Sequence, residues 1–294
     1  MSGRRPSSIL SVNTRLSNQA RRRSLQAGRS ALVGYLPCEA SGDRLWRMGM
    51  SHDTTLTRHA PSASKEALSL AADHPAVVEG RMRFAQSANE HKRHQARVLV
   101  SGFNSRKIGK MVTKGSLAGM PIYTLTLDER ATCERSCEMW RSCMGNRMPW
   151  SLRWPATPET FVRIRDELQV LSVVHRDGFL VRLHILGDFP SVEYVELWEK
   201  WLADFPMLRV YGYTRRVGEI GAAVASLARR KWDRFAIRSS FGALRNLPST
   251  VVVDRGAALP DGIVCPAQTH KTAACSSCGL CWDQPSKTII FLEH

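Results

Sequence analysis

The chain reads as an α/β protein: a partial (β/α) barrel or a parallel sheet with helical crossovers, preceded by a helical segment and a disordered N-terminal tail. Two observations predict this class. From residue 122 to residue 239, short runs of Val, Ile, Leu, Tyr and Phe alternate with stretches of helical periodicity. The strand runs are also nearly continuous in apolar residues, as expected where helices cover both faces of a parallel sheet or where the sheet curls into a barrel. At 294 residues with 43% hydrophobic residues, there is ample material for a core.

Residues 1–50 contain nine arginines and no acid before Glu39. Arg21-Arg22-Arg23 among Ser, Asn and Gln is the composition of a solvated, disordered basic arm. It could bind nucleic acid phosphates, act as a targeting peptide, or come from an over-extended gene start with Met48 or Met50 as the true initiator. The last reading is favoured, because nothing in the tail has the pattern of an element that packs. Residues 51–98 read as a helical peripheral segment: SASKEALSLAAD has a Ser cap and helix formers before His74-Pro75, and a charged helix continues from Val77 to Arg97. Residues 99–260 form the barrel-like domain, and residues 261–294 a cysteine-rich, metal-binding segment.

Within the domain, Lys107, Lys110 and Lys114 are strung through Gly109, Gly115 and Gly119, a spacing that matches no phosphate-binding loop and suits a surface loop equally well. Strands follow at Ile122–Leu127, Phe179–Leu186, Leu208–Tyr213 and Arg234–Ser239. Helices are expected near Pro158–His175, Val192–Phe205 and Val217–Arg230, and a C-terminal strand at Thr288–Leu292. Chemistry in such folds sits at the carboxyl ends of the strands. Polar residues collect there four times: a cysteine loop, then Gly187-Asp188, then Tyr213-Thr214-Arg215, then Arg238-Ser239-Ser240.

Asp188 at a strand terminus beside Gly187 can hold the amino group of a cofactor or a substrate cation. Arg215 and Arg238 could clamp a carboxylate or phosphate, or be surface charges. Arg182 and His184 alternate with Leu183 and Ile185 and so share a strand face, where His184 is either a ligand or a satisfied core histidine. Trp198 and Trp201 read as core anchors.

Seven cysteines fall into two groups, Cys133-x3-Cys137-x5-Cys143 and Cys265-x9-Cys275-x2-Cys278-x2-Cys281; Cys38 stands apart as an incidental thiol. The close spacing in CSSCGLC suits the corners of an iron–sulfur cubane better than a zinc site built from two separated pairs, with Cys265 as the fourth ligand; zinc is the alternative metal. In the first group three thiolates leave a cluster iron, or a catalytic zinc, with one open position. With no signal peptide and no apolar run of roughly 18 residues, the expected location is the reducing cytosol, away from membranes, where paired disulfides are disfavoured.

The segments KIGKMVTKGSLAGMPIYTLTLDERATC, VRLHILGDFPSVEYVELW, VYGYTRR, RFAIRSS and VCPAQTHKTAACSSCGLCW…TIIFLEH resemble the gene product eighty-eight family of phages and proteobacteria over about residues 99–294. That family's layout is similar to radical S-adenosylmethionine enzymes: a cysteine loop after the first strand, a glycine–acid step after the second and an auxiliary cluster at the C-terminus. Those enzymes usually space the loop Cys-x3-Cys-x2-Cys, where this chain has five residues before Cys143. The resemblance implies that Cys133, Cys137 and Cys143 hold a 4Fe-4S cubane whose free iron chelates S-adenosylmethionine. Asp188 would contact the cofactor's amino group, and a carbon radical would act on an unidentified substrate near Tyr213, Arg215 and Arg238. A ferredoxin or flavodoxin would be the reductant. The competing readings are a non-catalytic zinc or iron–sulfur protein that binds nucleic acid through its net charge of +16, and a redox carrier without a substrate pocket.

Overall fold

The computed structural model describes residues 90–140, 142–148 and 151–293. The expected tail of residues 1–50 and most of the helical segment of residues 51–98 lie outside the described residues. Of that segment, Glu90–Gln95 forms a 3-10 helix. Every described residue belongs to one compact unit, Met50–His294.

Among the described residues, eight strands build one sheet: β1 (Val100–Ser101), β2 (Ile122–Thr124), β3 (Phe179–Leu183), β4 (Leu208–Thr214), β5 (Phe235–Ser240), β6 (Ser249–Val253), β7 (Ile263–Val264) and β8 (Ile289–Leu292). Their order is β1-β2-β3-β4-β5-β6-β8-β7. All neighbours are parallel except β1, which pairs antiparallel with β2. The sheet is open and mostly parallel with helical crossovers, in keeping with the expected α/β class. The helices are α1 (Glu129–Thr132), α2 (Pro158–Val174), α3 (Val192–Asp204), α4 (Gly218–Arg230) and α5 (Leu280–Asp283).

Local chemistry starts the crossover helices where the periodicity places them. Thr157 accepts from the Thr160 amide ahead of Pro158 at the first position of α2, and Ser191 accepts from the Tyr194 amide at the start of α3. Strands β2 to β5 stand in chain order, and the right-handed crossovers usual between sequential strands put α2, α3 and α4 on the same side. That face carries the larger core, in which Leu168, Trp198, Leu202, Val224 and Leu227 pack on Phe179, Val181, Leu183, Val210, Phe235 and Ile237. Trp198 and Trp201 are buried core anchors in it, as expected.

The opposite face is covered by the C-terminal cysteine segment, with its one-turn helix α5, and by the loop after β1, not by crossover helices. Ile108, Val112, Cys265, Cys281 and Trp282 pack there against Leu180, Tyr211 and Ala236. The step from β5 to β6 explains how the chain reaches that face without a helix. Ser239 pairs with Ser249, so β6 begins where β5 ends and extends the sheet past its carboxyl edge. A short turn suffices, with Phe241 (φ 54) and Gly242 (φ 64) in left-handed conformations, where a full-length parallel return needs a crossover of a dozen residues or more.

Candidate metal centres

The first cysteine loop is tied to the carboxyl ends of β3 and β4. The Asp188 amide donates to Thr132 Oγ1 at 3.1 Å, one residue before Cys133. Arg215 forms a two-pronged ion pair with Glu138, at 2.7 and 2.6 Å, and Arg216 reaches Glu134 at 3.6 Å. Gly187 makes the close approach feasible: at φ +87, a Cβ there would stand 2.7 Å from Thr132 Oγ1 and 2.8 Å from Leu127 Cβ. The far side of the loop is held by a buried pair, Arg153 with Glu129, at 2.8 Å through Nε and 3.1 Å through Nη2. Arg153 donates further to the carbonyls of Gly145, Met148 and Ser151, so the charge is compensated and its donors are satisfied.

Cys133, Cys137 and Cys143 are partly buried free thiols. Burial pushes the Cys133 thiol up, and Asp188, Cys143, Cys137 and Glu129 push it in the same direction. Arg130 stands beside this group, stacked over Trp140 at 4.4 Å, and its basicity is drawn down by burial but supported by Cys143, Glu129 and Cys133. Its Nε and Nη2 are buried without hydrogen-bond partners. A guanidinium with two idle donors beside three thiols is the environment that thiolate sulfurs, as strong acceptors, would satisfy.

Asp188 is 5% exposed and already engaged. Oδ1 accepts from the Phe189 amide and from Thr214 Oγ1, each at 2.8 Å, and Oδ2 from the Arg215 amide at 2.7 Å. Burial lifts its pKa to about 6 against the pull of these donors. The carboxylate therefore pins the ends of β3 and β4 together, with one Oδ2 lone pair left over.

The second group occupies the opposite face. Cys265, Cys275, Cys278 and Cys281 line one small cavity of about 10 Å³ together with Pro266, Gly279, Trp282 and Ile289. The glycine-rich basic loop cradles it. Lys107 and Ile108 carbonyls accept from the Cys275 and Ser276 amides at 2.7 and 2.9 Å, and a Cβ on Gly109 would stand 2.2 Å from Ser276 Oγ. This loop is thus a packing surface for the cysteine turn and not a phosphate cradle.

Arg238, 0% exposed, points into this segment. It donates to the carbonyls of Cys281 at 2.9 Å and Lys287 at 2.8 Å, and also to those of Leu280, Gln284 and Ser249. It is neither a substrate clamp nor a surface charge. The hydroxyl of Tyr213 meets Cys281 Sγ at 2.9 Å. No carboxylate lines the pocket, and Arg238 belongs to none of the ion pairs among the described residues.

The expected site residues therefore separate into two sets. Gly187, Asp188 and Arg215 stand with the first cysteine group. Tyr213 and Arg238 stand with the second, because their side chains point to the cysteine-bearing face of the sheet and not along its edge. Arg182 and His184 do not share a face either. β3 ends at Leu183, and His184 turns toward the helical side, 3.2 Å from Tyr194 Oη and edge-on to Phe189. It is the buried core histidine, kept neutral to about pH 3 by burial and by Arg182. Sequence reasoning passed over Glu129, Arg130, Arg153, Tyr211 and the role of Lys107. The strand alternation of Arg182, Tyr211, Tyr213 and Arg238 is the signal that would have placed the last set on one face.

Among the described residues, no group of three or more His, Cys, Asp or Glu side chains is arranged to hold a metal ion.

The family model of Gene product 88 matches residues 159–230. That span runs from α2 to α4 and includes Gly187, Asp188, Tyr213 and Arg215 but none of the grouped cysteines, so the match speaks for the scaffold. Neither the curated proteins nor the solved structures gave a match. No helix among the described residues is long and apolar enough to cross a membrane.

Proposed function

We propose that this is an iron–sulfur protein with two thiolate centres. Cys265, Cys275, Cys278 and Cys281 would hold the C-terminal centre, and Cys133, Cys137 and Cys143 a second one at the carboxyl edge. The observation that carries the reading is the pocket lined by all four C-terminal cysteines beside a buried arginine that has no carboxylate partner. Four thiolates around a metal are anionic, and Arg238 together with Arg182 would balance that charge. A three-thiolate iron–sulfur centre supplies an open ligand position and one-electron chemistry.

Around such a centre, Arg130 would donate to sulfur, and Asp188 with Arg215 would hold the loop to the strand ends. The radical S-adenosylmethionine reading follows from the open position and from the cysteine loop, glycine–acid step and C-terminal cysteines in that order. Asp188 then acts through its remaining Oδ2 lone pair and through the loop it positions. Anaerobic purification with iron, sulfide and zinc assays tests the centres. Dithionite reduction with S-adenosylmethionine, followed for 5′-deoxyadenosine, tests the chemistry. Iron without that product would leave an electron-carrying or structural role, and zinc without iron would favour the non-catalytic reading.

A further inference from the structure

Tyr211 is 1% exposed, and its hydroxyl has no hydrogen-bond partner. A buried hydroxyl without a partner costs about 1–3 kcal/mol, so its retention calls for an acceptor. Its ring packs in the same cluster as Cys265 and Cys281 and meets Trp282, a wall of the cysteine pocket, edge-on at 4.8 Å. Two residues along β4, on the same face, Tyr213 Oη lies 2.9 Å from Cys281 Sγ. The Arg182 guanidinium covers both rings, 5.6 Å from Tyr211 and 4.4 Å from Tyr213, and it too belongs to no described ion pair. Two hydroxyls and two arginines thus stand on the sheet face that the cysteine pocket covers, and neither arginine belongs to a described ion pair.

We infer that Tyr211 and Tyr213 are O–H donors to the sulfur atoms of the centre in the C-terminal pocket, and that with Arg182 they stabilise its reduced state. This rests on the iron–sulfur reading above. An iron–sulfur centre held by these cysteines would supply sulfur acceptors, to which the idle Tyr211 hydroxyl would donate. Hydrogen bonds and positive charge near the sulfurs favour the form carrying one more electron, and so raise the potential. The step is the gain of one electron from a reductant such as dithionite. No protein bond breaks, and both hydroxyl protons stay on oxygen.

The test is a dithionite redox titration of anaerobically purified, full-length protein, followed by electron paramagnetic resonance in a Cys133→Ala/Cys137→Ala background that isolates the C-terminal centre. Tyr211→Phe keeps the ring and should keep the iron and sulfide content. It should also lower the reduced-to-oxidised ratio at fixed potential about tenfold, or about 59 mV for one electron. Tyr211→Phe/Tyr213→Phe should lower it further, and Arg182→Gln should move it the same way. Tyr123→Phe is the control, since that hydroxyl bonds His175 at 2.8 Å and should leave the potential unchanged. An unchanged potential in iron-loaded Tyr211→Phe overturns the inference and leaves the iron–sulfur reading standing. Wild-type protein that carries zinc or no metal overturns both.

Discussion

Arg238 shows how much one side chain does in this fold. Its guanidinium holds five backbone carbonyls of the last fifty residues against β5. Replacing it by methionine would strand buried acceptors at about 1–3 kcal/mol each, so Arg238→Met should cost about 3 kcal/mol or more, read as a fall in the urea midpoint. His184 gives a second expectation, and the sign can be worked out. Folded, it stays neutral down to about pH 3; unfolded, it titrates near its ordinary 6.5. Between those values the unfolded chain binds more protons, so stability falls as pH drops from 6.5, by about 1.4 kcal/mol per unit for this one group. His184→Asn should flatten urea-derived stability between pH 6.5 and 4 by that amount. An unaltered slope would show that the ring is protonated in the folded chain.

At the scale of elements, the apolar runs were legible to within a residue or two at β4, β5, α2, α3 and α4. Apolar periodicity is a local property, which is why it reads out of sequence. Strand ends were less legible. Phe179–Leu186 reads as one run, yet the regular strand ends at Leu183; beyond it the Ile185 amide donates to Leu125 and Leu186 accepts from the Leu127 amide outside strand geometry, and His184 leaves the face of Arg182. Likewise the carboxyl-edge positions of Tyr213 and Arg238 were visible, but the face they serve depends on what covers it, a contact 43 residues away in the case of Arg238 and Cys281. β6 was missed as an element; it pairs with only the last two residues of β5. The turn at Gly187 carries the prediction at this scale. An added Cβ meets Thr132 and Leu127, and the positive φ disfavours alanine, for about 1–3 kcal/mol. Gly187→Ala should therefore displace the first cysteine loop and lower metal content attributable to Cys133, Cys137 and Cys143, with the C-terminal centre unaffected in the same metal assay.

For the whole molecule, the two cysteine groups sit in places with different consequences for stability. The C-terminal group is part of a core: Cys265 and Cys281 are buried with Trp282, Ile289 and Tyr211 between the sheet and its covering segment. The first group lies on an edge loop whose anchors, Glu129 with Arg153 and Glu138 with Arg215, hold without help from the sulfurs. Metal affinity at a buried structural site is folding free energy, so loss of the C-terminal centre should be felt throughout the domain, and loss of the first only locally. Cys278→Ala should thus lower the thermal midpoint of the full-length, anaerobically loaded protein by several degrees, at about 2–4 °C per kcal/mol for a chain of this size. Cys137→Ala should leave the midpoint within about a degree while abolishing any S-adenosylmethionine-dependent product. Differential scanning calorimetry on the two variants decides it: equal losses would mean that both centres are structural, and no loss from Cys278→Ala would mean that the sheet face is held by its apolar contacts alone.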